Sequence, residues 1–138
     1  MDTLLTHHEQ KDKTVLVCDT DYISSTLVSS MIKNRLGSKC YTVSDGRSGA
    51  KLISEKKIDL IITEVFLPYM SGITLIETVR NHINMTIPIL ILSSDVSSQM
   101  RESMNDMLVN TFIDKPIHLE ELIYHTSLLL QLNKPEKS

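Results

Sequence analysis

The chain has 138 residues with 14 basic against 17 acidic side chains, a net charge of −3 with its five histidines neutral. That is one domain's length of chain. With 41% hydrophobic and 22% charged residues the composition is that of an ordinary globular protein, which argues against disordered, collagenous and coiled-coil classes. Aromatics make up 4% and Trp is absent, so the core must be aliphatic and stacking platforms for bases or sugars are scarce. A slightly acidic chain without a Lys/Arg run lacks the basic face that phosphate neutralisation needs, and no direct nucleic-acid contact is expected.

The opening residues, MDTLLTHHEQKDK, have no apolar stretch of the signal-peptide kind, and there is no run of 18 apolar residues to cross a membrane. No membrane contact is expected and the cytoplasm is the default location. Cys18 and Cys40 lie in β-like runs and form no C-x-x-C pair, the pattern of reduced, buried thiols.

Residues 1–12 and 134–138 read as polar tails, the second compatible with a linker. Between them, over 13–133, the hydrophobic period switches repeatedly between strand and helix. Thr14–Asp19 is a near-continuous apolar run, as in a strand covered on both faces. Asp21 is placed to cap a helix with Ile23, Leu27, Met31, Ile32 and Leu36 inward, and Gly37 stops it. Cys40–Val43 is a second strand. Ser44-Asp45-Gly46 is a turn, and a helix with Ala50, Leu52 and Ile53 inward follows from Arg47 to Lys57. Asp59–Glu64 is the strongest strand.

A loop over Val65–Ser71 leads to a helix from Gly72 to about Ile83, with Ile73, Ile76 and Val79 on one face. Pro88 opens a fourth strand, Ile89–Ser93. The next helix has Val96, Met100, Met104 and Met107 at helical spacing, which reads as core filler rather than a cofactor site. A fifth strand, Asn110–Ile113, precedes Lys115-Pro116 and a last helix burying Leu119, Leu122, Ile123 and Leu129. His82, His118 and His125 share no metal-ligand spacing and read as solvated or packed side chains.

Five strands alternating with five helices on short connections imply right-handed crossovers and a parallel sheet covered on both sides, an α/β sandwich. In such sheets chemistry gathers beyond the carboxyl ends of the strands. Those ends carry Asp19-Thr20-Asp21, Glu64, Ser93-Ser94 and Asp114-Lys115-Pro116. Carboxylates brought together call for a cation or a proton, and a lysine with a hydroxyl suits the oxygens of a phosphoryl group. Neither a G-x-x-x-x-G-K-[ST] nor a G-x-G-x-x-G loop is present, so a nucleotide-binding enzyme is disfavoured.

The runs VLVCDTD (15–21), DLIITEVFLPYMSG (59–72), PILILSS (88–94) and FIDKP (112–116) resemble, in order and at the matching strand ends, the receiver domain of two-component response regulators. The resemblance covers about Lys13 to Leu132. It implies a flavodoxin-like, CheY-like sheet of order 2-1-3-4-5, and a phosphorelay domain that takes a phosphoryl group from a histidine kinase onto an aspartate beside Mg²⁺. Carried over by position, Asp19 is the first residue of the acidic pair and Thr20 stands where its second acid, the metal ligand, belongs. Glu64 stands at the phosphoacceptor position, and the Phe66 carbonyl is the backbone metal ligand. Ser93 and Lys115 are the phosphoryl contacts, Phe112 the switch aromatic and Pro116 the cis-proline candidate. Asp21 could substitute for the missing acid, although its register suits a helix cap.

Two departures fall on the chemistry. Glu64 adds a methylene and moves its carboxylate outward by roughly 1.5 Å, where a misplacement of about 1 Å can cost on the order of a hundredfold in rate. Thr20 removes a charge from the metal pocket, so no cofactor is expected and any Mg²⁺ binding should be weakened at Asp19, Glu64 and the Phe66 carbonyl. The resemblance with these departures implies an atypical receiver, a pseudo-receiver acting by phosphorylation-independent protein contact and not as an enzyme. Glu64 would either reach Lys115 and Ser93 and mimic the active state or form an inert ion pair with Lys115. The alternative is a receiver that still accepts a phosphoryl group with Mg²⁺; a small phosphatase is a third reading.

Expected partners are a sensor histidine kinase, or an output protein or domain, on the face of the fourth helix, fifth strand and fifth helix, with a second copy of the chain a further candidate. Met107-Leu108-Val109 replaces the glycine common before the fifth strand and suggests a rerouted backbone there. In the loop after the third strand, Tyr69 replaces a common Gly and could screen the site, and Ser71 caps the next helix.

Overall fold

The computed structural model describes residues 12–83 and 86–132; the expected tails fall almost wholly outside them. Its strands are β1 (Thr14–Cys18), β2 (Lys39–Val43), β3 (Leu60–Thr63), β4 (Ile89–Ser93) and β5 (Thr111–Asp114). They form one parallel sheet of order β2-β1-β3-β4-β5, as expected. The helices are α1 (Tyr22–Leu36), α2 (Gly46–Glu55), α3 (Gly72–Thr78), α4 (Ser98–Asn105) and α5 (Leu119–Leu132).

Alternation along the strands divides the core in two. Val15, Val17, Leu60, Ile62, Leu90, Leu92 and Ile113 pack with α1 and α5. Leu16, Cys18, Ile61, Ile89 and Ile91 pack with α2, α3 and Met104 of α4. The methionine stripe is core filler as read: Met104 is buried, and Met100 and Met107 are half-buried against the same cluster. Both cysteines are free thiols.

The helix starts follow their caps. Asp21 Oδ1 accepts the amides of Ile23 and Ser24, and Ser71 Oγ accepts that of Thr74. Gly37 ends α1 at φ 69°, a left-handed conformation that glycine adopts without strain. Gly72 is required by proximity, since a Cβ there would sit 2.3 Å from the Glu64 carbonyl oxygen.

Several local expectations are corrected. In α1, Met31, Ile32 and Leu36 are buried as read, while in its first two turns Ser24 and Val28 take the inward places expected of Ile23 and Leu27. Ser24, Val28, Met31, Ile32 and Leu36 are buried, while Ile23 is 70% and Leu27 45% exposed. The buried Ser24 hydroxyl is satisfied by donating to Asp21 Oδ2 at 3.1 Å. α3 stops at Thr78 and continues as a π-helical turn over Val79–Ile83. Leu119 is exposed rather than buried, at the first turn of α5. β5 runs one residue later than expected.

Candidate functional site

The strand ladders carry one hydrogen bond past their ends. Asp19 N–H donates to Val43 O, Glu64 N–H to Cys18 O and Lys115 N–H to Ser93 O, at 2.9–3.0 Å. Residues 19, 64, 93 and 115 are thereby fixed on one edge, and three of them meet through charge. Lys115 Nζ lies 2.9 Å from Asp19 Oδ2 and 3.1 Å from Glu64 Oε2. Both carboxylates are buried and the lysine side chain is 15% exposed.

Burial works against the lysine charge, but hydrogen bonds to and charges on Asp19 and Glu64 outweigh it and raise the Lys115 pKa. The second oxygens are engaged as well. Asp19 Oδ1 accepts the Asp21 N–H at 2.9 Å. Glu64 Oε1 accepts the N–H of its own successor, Val65, at 2.9 Å. That amide also points at Ser93 Oγ, 3.5 Å away. Glu64 therefore reaches Lys115 directly, and it meets Ser93 only through the shared Val65 amide.

The remaining acids serve elsewhere. Asp21 is spent on the α1 cap, where the Ser24 hydroxyl and the amides of Ser24 and Ile23 lower its pKa. Thr20 is exposed. Among the described residues no group of three or more His, Cys, Asp or Glu is arranged to hold a metal ion. The Asp19 and Glu64 oxygens that a cation would need already face Lys115 and backbone amides. This donor set does not fit a resident Mg²⁺.

On the β5 side, Arg101 of α4 pairs with Asp114 and lies over the Phe112 ring, 4.9 Å from its centroid. The Lys115–Pro116 peptide is cis, as expected. The α4–β5 connection corrects the expected rerouting: Leu108 adopts the left-handed conformation itself, at φ 61°. Arg80 holds it there, donating from Nε to Met107 O (3.1 Å), from Nη1 to Ile87 O (2.6 Å) and from Nη2 to Leu108 O (2.8 Å). Tyr69, also left-handed at φ 66°, projects into solvent, 85% exposed.

With this geometry in place, the family model for the response regulator receiver domain matches residues 15–127. The chain belongs to that family. Similar proteins include the sensor histidine kinase RcsC of Escherichia coli (strain K12), 23% identical over 130 residues that make up 94% of this chain and 13% of that kinase. The chain thus spans about an eighth of that relative's length. Among solved structures, the receiver domain of the Francisella response regulator 1452 is 25% identical, with a TM-score of 0.81 over 89% of this chain and 100% of that one. The receiver domain of a signal transduction histidine kinase from Syntrophus aciditrophicus is 23% identical, with a TM-score of 0.81 over 92% of this chain and 96% of that one.

Receiver domains are signalling domains that work with protein partners, and in this one no described helix is long and apolar enough to cross a membrane. The fold of this receiver brings Asp19, Glu64, Ser93 and Lys115 to one place and leaves Thr20 and Asp21 outside it. His82 and His118 are exposed, and His125 packs edge-on to Tyr124. Sequence reasoning missed three contributors: the Val65 amide, Arg80 and Arg101. Arg80 leaves a trace, a lone cation next to Val79 on the apolar side of α3; the other two have none, because a backbone amide has no residue identity and Arg101 reads as an ordinary surface charge.

Proposed function

We propose that this receiver domain is a pseudo-receiver, acting through protein contact with a state that is not set by aspartyl phosphorylation. The observation that carries the reading is the double engagement of Glu64: one oxygen on Lys115, the other on the Val65 amide. Those donors are the ones that a phosphoryl group on residue 64 would need, and the side chain's own carboxylate fills them. Glu64 is also buried, so a phosphodonor would have to displace this network to reach it. The engagement favours the active-mimic form over an inert pair, because the Val65 amide joins it as well as Lys115.

Mg²⁺ has little to bind, with Thr20 neutral and Asp19 committed. The domain has no catalytic role in this reading and works in the cytoplasm. Its partner is a sensor histidine kinase, or an output protein or domain, on the α4–β5–α5 face, where Arg101 ties α4 to Asp114 and covers Phe112. The test is intact-mass spectrometry after incubation with Mg²⁺ and acetyl phosphate. An unmodified chain is expected, and an acyl phosphate that disappears in Glu64→Gln overturns the reading.

A further inference from the structure

The sheet of order β2-β1-β3-β4-β5 has two edge strands, and only one of them is guarded. Asp114 closes β5, tied by Arg101 to α4, and Pro116 follows it; charge and proline are the devices that keep an edge from pairing with another chain. Beyond Lys39, β2 has neither: its residues are Cys40, Tyr41, Thr42 and Val43, uncharged and mostly strand-favouring. The ladder fixes which of their backbone groups look outward. Lys39 N–H donates to Lys13 O and Val43 O accepts the Asp19 N–H, so Lys39, Tyr41 and Val43 spend their groups on β1, and the N–H and C=O of Cys40 and Thr42 point away from the sheet. Among the described residues nothing takes them. Thr42 is exposed and stands at the rim of two clefts, one of about 230 Å³ beside α1 and one of about 350 Å³ between the starts of α1 and α2, so neither helix covers the edge there.

We propose that β2 pairs with β2 of a second copy of this chain, antiparallel about a two-fold axis at Tyr41, joining two five-stranded sheets into one. The strand fits itself. In the register that overlaps all five of its residues, Cys40 of each copy faces Thr42 of the other, and these are the residues whose N–H and C=O are open, so each such pair exchanges both bonds. Lys39 faces Val43 and not its own copy, which avoids the like-charge opposition that disfavours a cross-strand pair. Tyr41 meets Tyr41 across the axis, an aromatic pair at the closely spaced, non-hydrogen-bonded position. An isologous contact of this kind consumes both β2 edges and stops at a dimer, whereas a foreign strand laid on β2 presents a fresh edge in turn.

β2 is about 17 Å long, so the contact falls below a standard interface and the dimer is weak, with a Kd of roughly tens of micromolar or higher. β5 lies at the sheet edge opposite β2, which leaves the α4–β5 surface open for another partner. The pairing does not depend on whether Glu64 takes a phosphoryl group.

Sedimentation velocity on the 138-residue chain, from about 5 to about 500 µM, should show a monomer–dimer equilibrium. Thr42→Pro removes an N–H that β1 does not use, at an edge position where proline is tolerated, and should weaken the dimer by about tenfold or more. Thr42→Lys, at the same exposed position, sets a lysine of each copy beside the axis and should weaken it as well, which keeps the test should the proline variant fail to fold. Amide hydrogen exchange locates the contact. The Cys40 and Thr42 amides should be protected at about 500 µM and exchange freely at about 5 µM, while the Tyr41 amide, already bonded to β1, is protected at both. Register is read by mild oxidation of Thr42→Cys, where the introduced thiol faces native Cys40 of the other copy at a Cα separation of about 5.5 Å, within disulfide range. An interchain link that disappears in a Cys40→Ser background is expected; Cys18 is buried and takes no part. A chain that stays monomeric at every concentration, a dimer that tolerates both Thr42→Pro and Thr42→Lys, Cys40 and Thr42 amides that exchange alike at both concentrations, or a link that survives Cys40→Ser overturns the proposal.

Discussion

Glu64→Gln removes one charge and changes almost nothing in volume. Its carboxylate has two acceptor oxygens in use, one for the Val65 amide and one for Lys115. Glutamine has one acceptor and one donor group, so in either orientation its NH₂ must face a second donor. If the oxygen keeps Val65, the amide nitrogen confronts the ammonium; if the oxygen turns to Lys115, it confronts the Val65 N–H. A buried donor left without an acceptor costs about 1–3 kcal/mol. Lys115 keeps Asp19 at 2.9 Å, which limits the additional electrostatic loss.

We therefore expect a destabilisation of about 2 kcal/mol, equivalent to a Tm lowered by roughly 8 °C for a domain of this size. Urea unfolding followed by circular dichroism should show a lower midpoint at unchanged slope. Glu64→Asp keeps both acceptors on a shorter stem and should lose less than about 1 kcal/mol. If Glu64→Gln falls within about 0.5 kcal/mol of the parent, the double engagement of Glu64 is wrong and the proposed function loses its support.

Arg80→Ala should be among the most destabilising single changes, by about 3 kcal/mol, since it strips three backbone carbonyls of their charged donor at once; chemical denaturation measures it, and a neutral result contradicts the clamp. Leu108→Gly should stabilise the domain by up to about 1 kcal/mol, because Leu108 is 65% exposed at φ 61° and its left-handed strain outweighs the little packing lost. For Lys115, the folded pKa is raised above the ordinary value of 10.5, so its contribution is complete below that value and declines as pH rises through the folded pKa. Unfolding midpoints above about pH 10.5 should therefore fall more steeply in the parent than in Lys115→Met, and parallel curves would count against the pair. Arg101→Lys keeps a charge for Asp114 but gives up the planar stack on Phe112; the Phe112 ring resonances should shift with little change in stability, and unmoved ring signals would argue against the stack.

The strands were legible because parallel strands buried on both faces write themselves as apolar runs, whereas their order came only with the resemblance to receiver domains carried by the acids, the hydroxyl and the lysine at the strand ends. Asp21 and Ser71 announced their helix starts through capping chemistry. Helix phase was less legible. In α1 the apolar residues recur on two sides, and the side carrying Val28, Met31, Ile32 and Leu36 packs on the sheet, burying Ser24 and Ser29 that a hydrophobic pattern assigns to solvent. The stretch 107–109 shows the opposite error: a missing glycine suggested a new path, whereas a distant arginine enforces the left-handed turn on leucine. At the site, charge and position identified Glu64 and Lys115. The contact that completes the arrangement is a backbone amide, which only the folded β3–α3 loop presents.

The Val65 amide is the most direct reporter of the central claim. In ¹⁵N-labelled protein its resonance should be unmoved by Mg²⁺ with beryllofluoride, a phosphoryl mimic, and should shift in Glu64→Gln, where its acceptor is changed. A Val65 resonance that moves on addition of Mg²⁺ and the mimic, and stays in place in Glu64→Gln, would show that the amide serves an incoming phosphoryl group and not the Glu64 carboxylate.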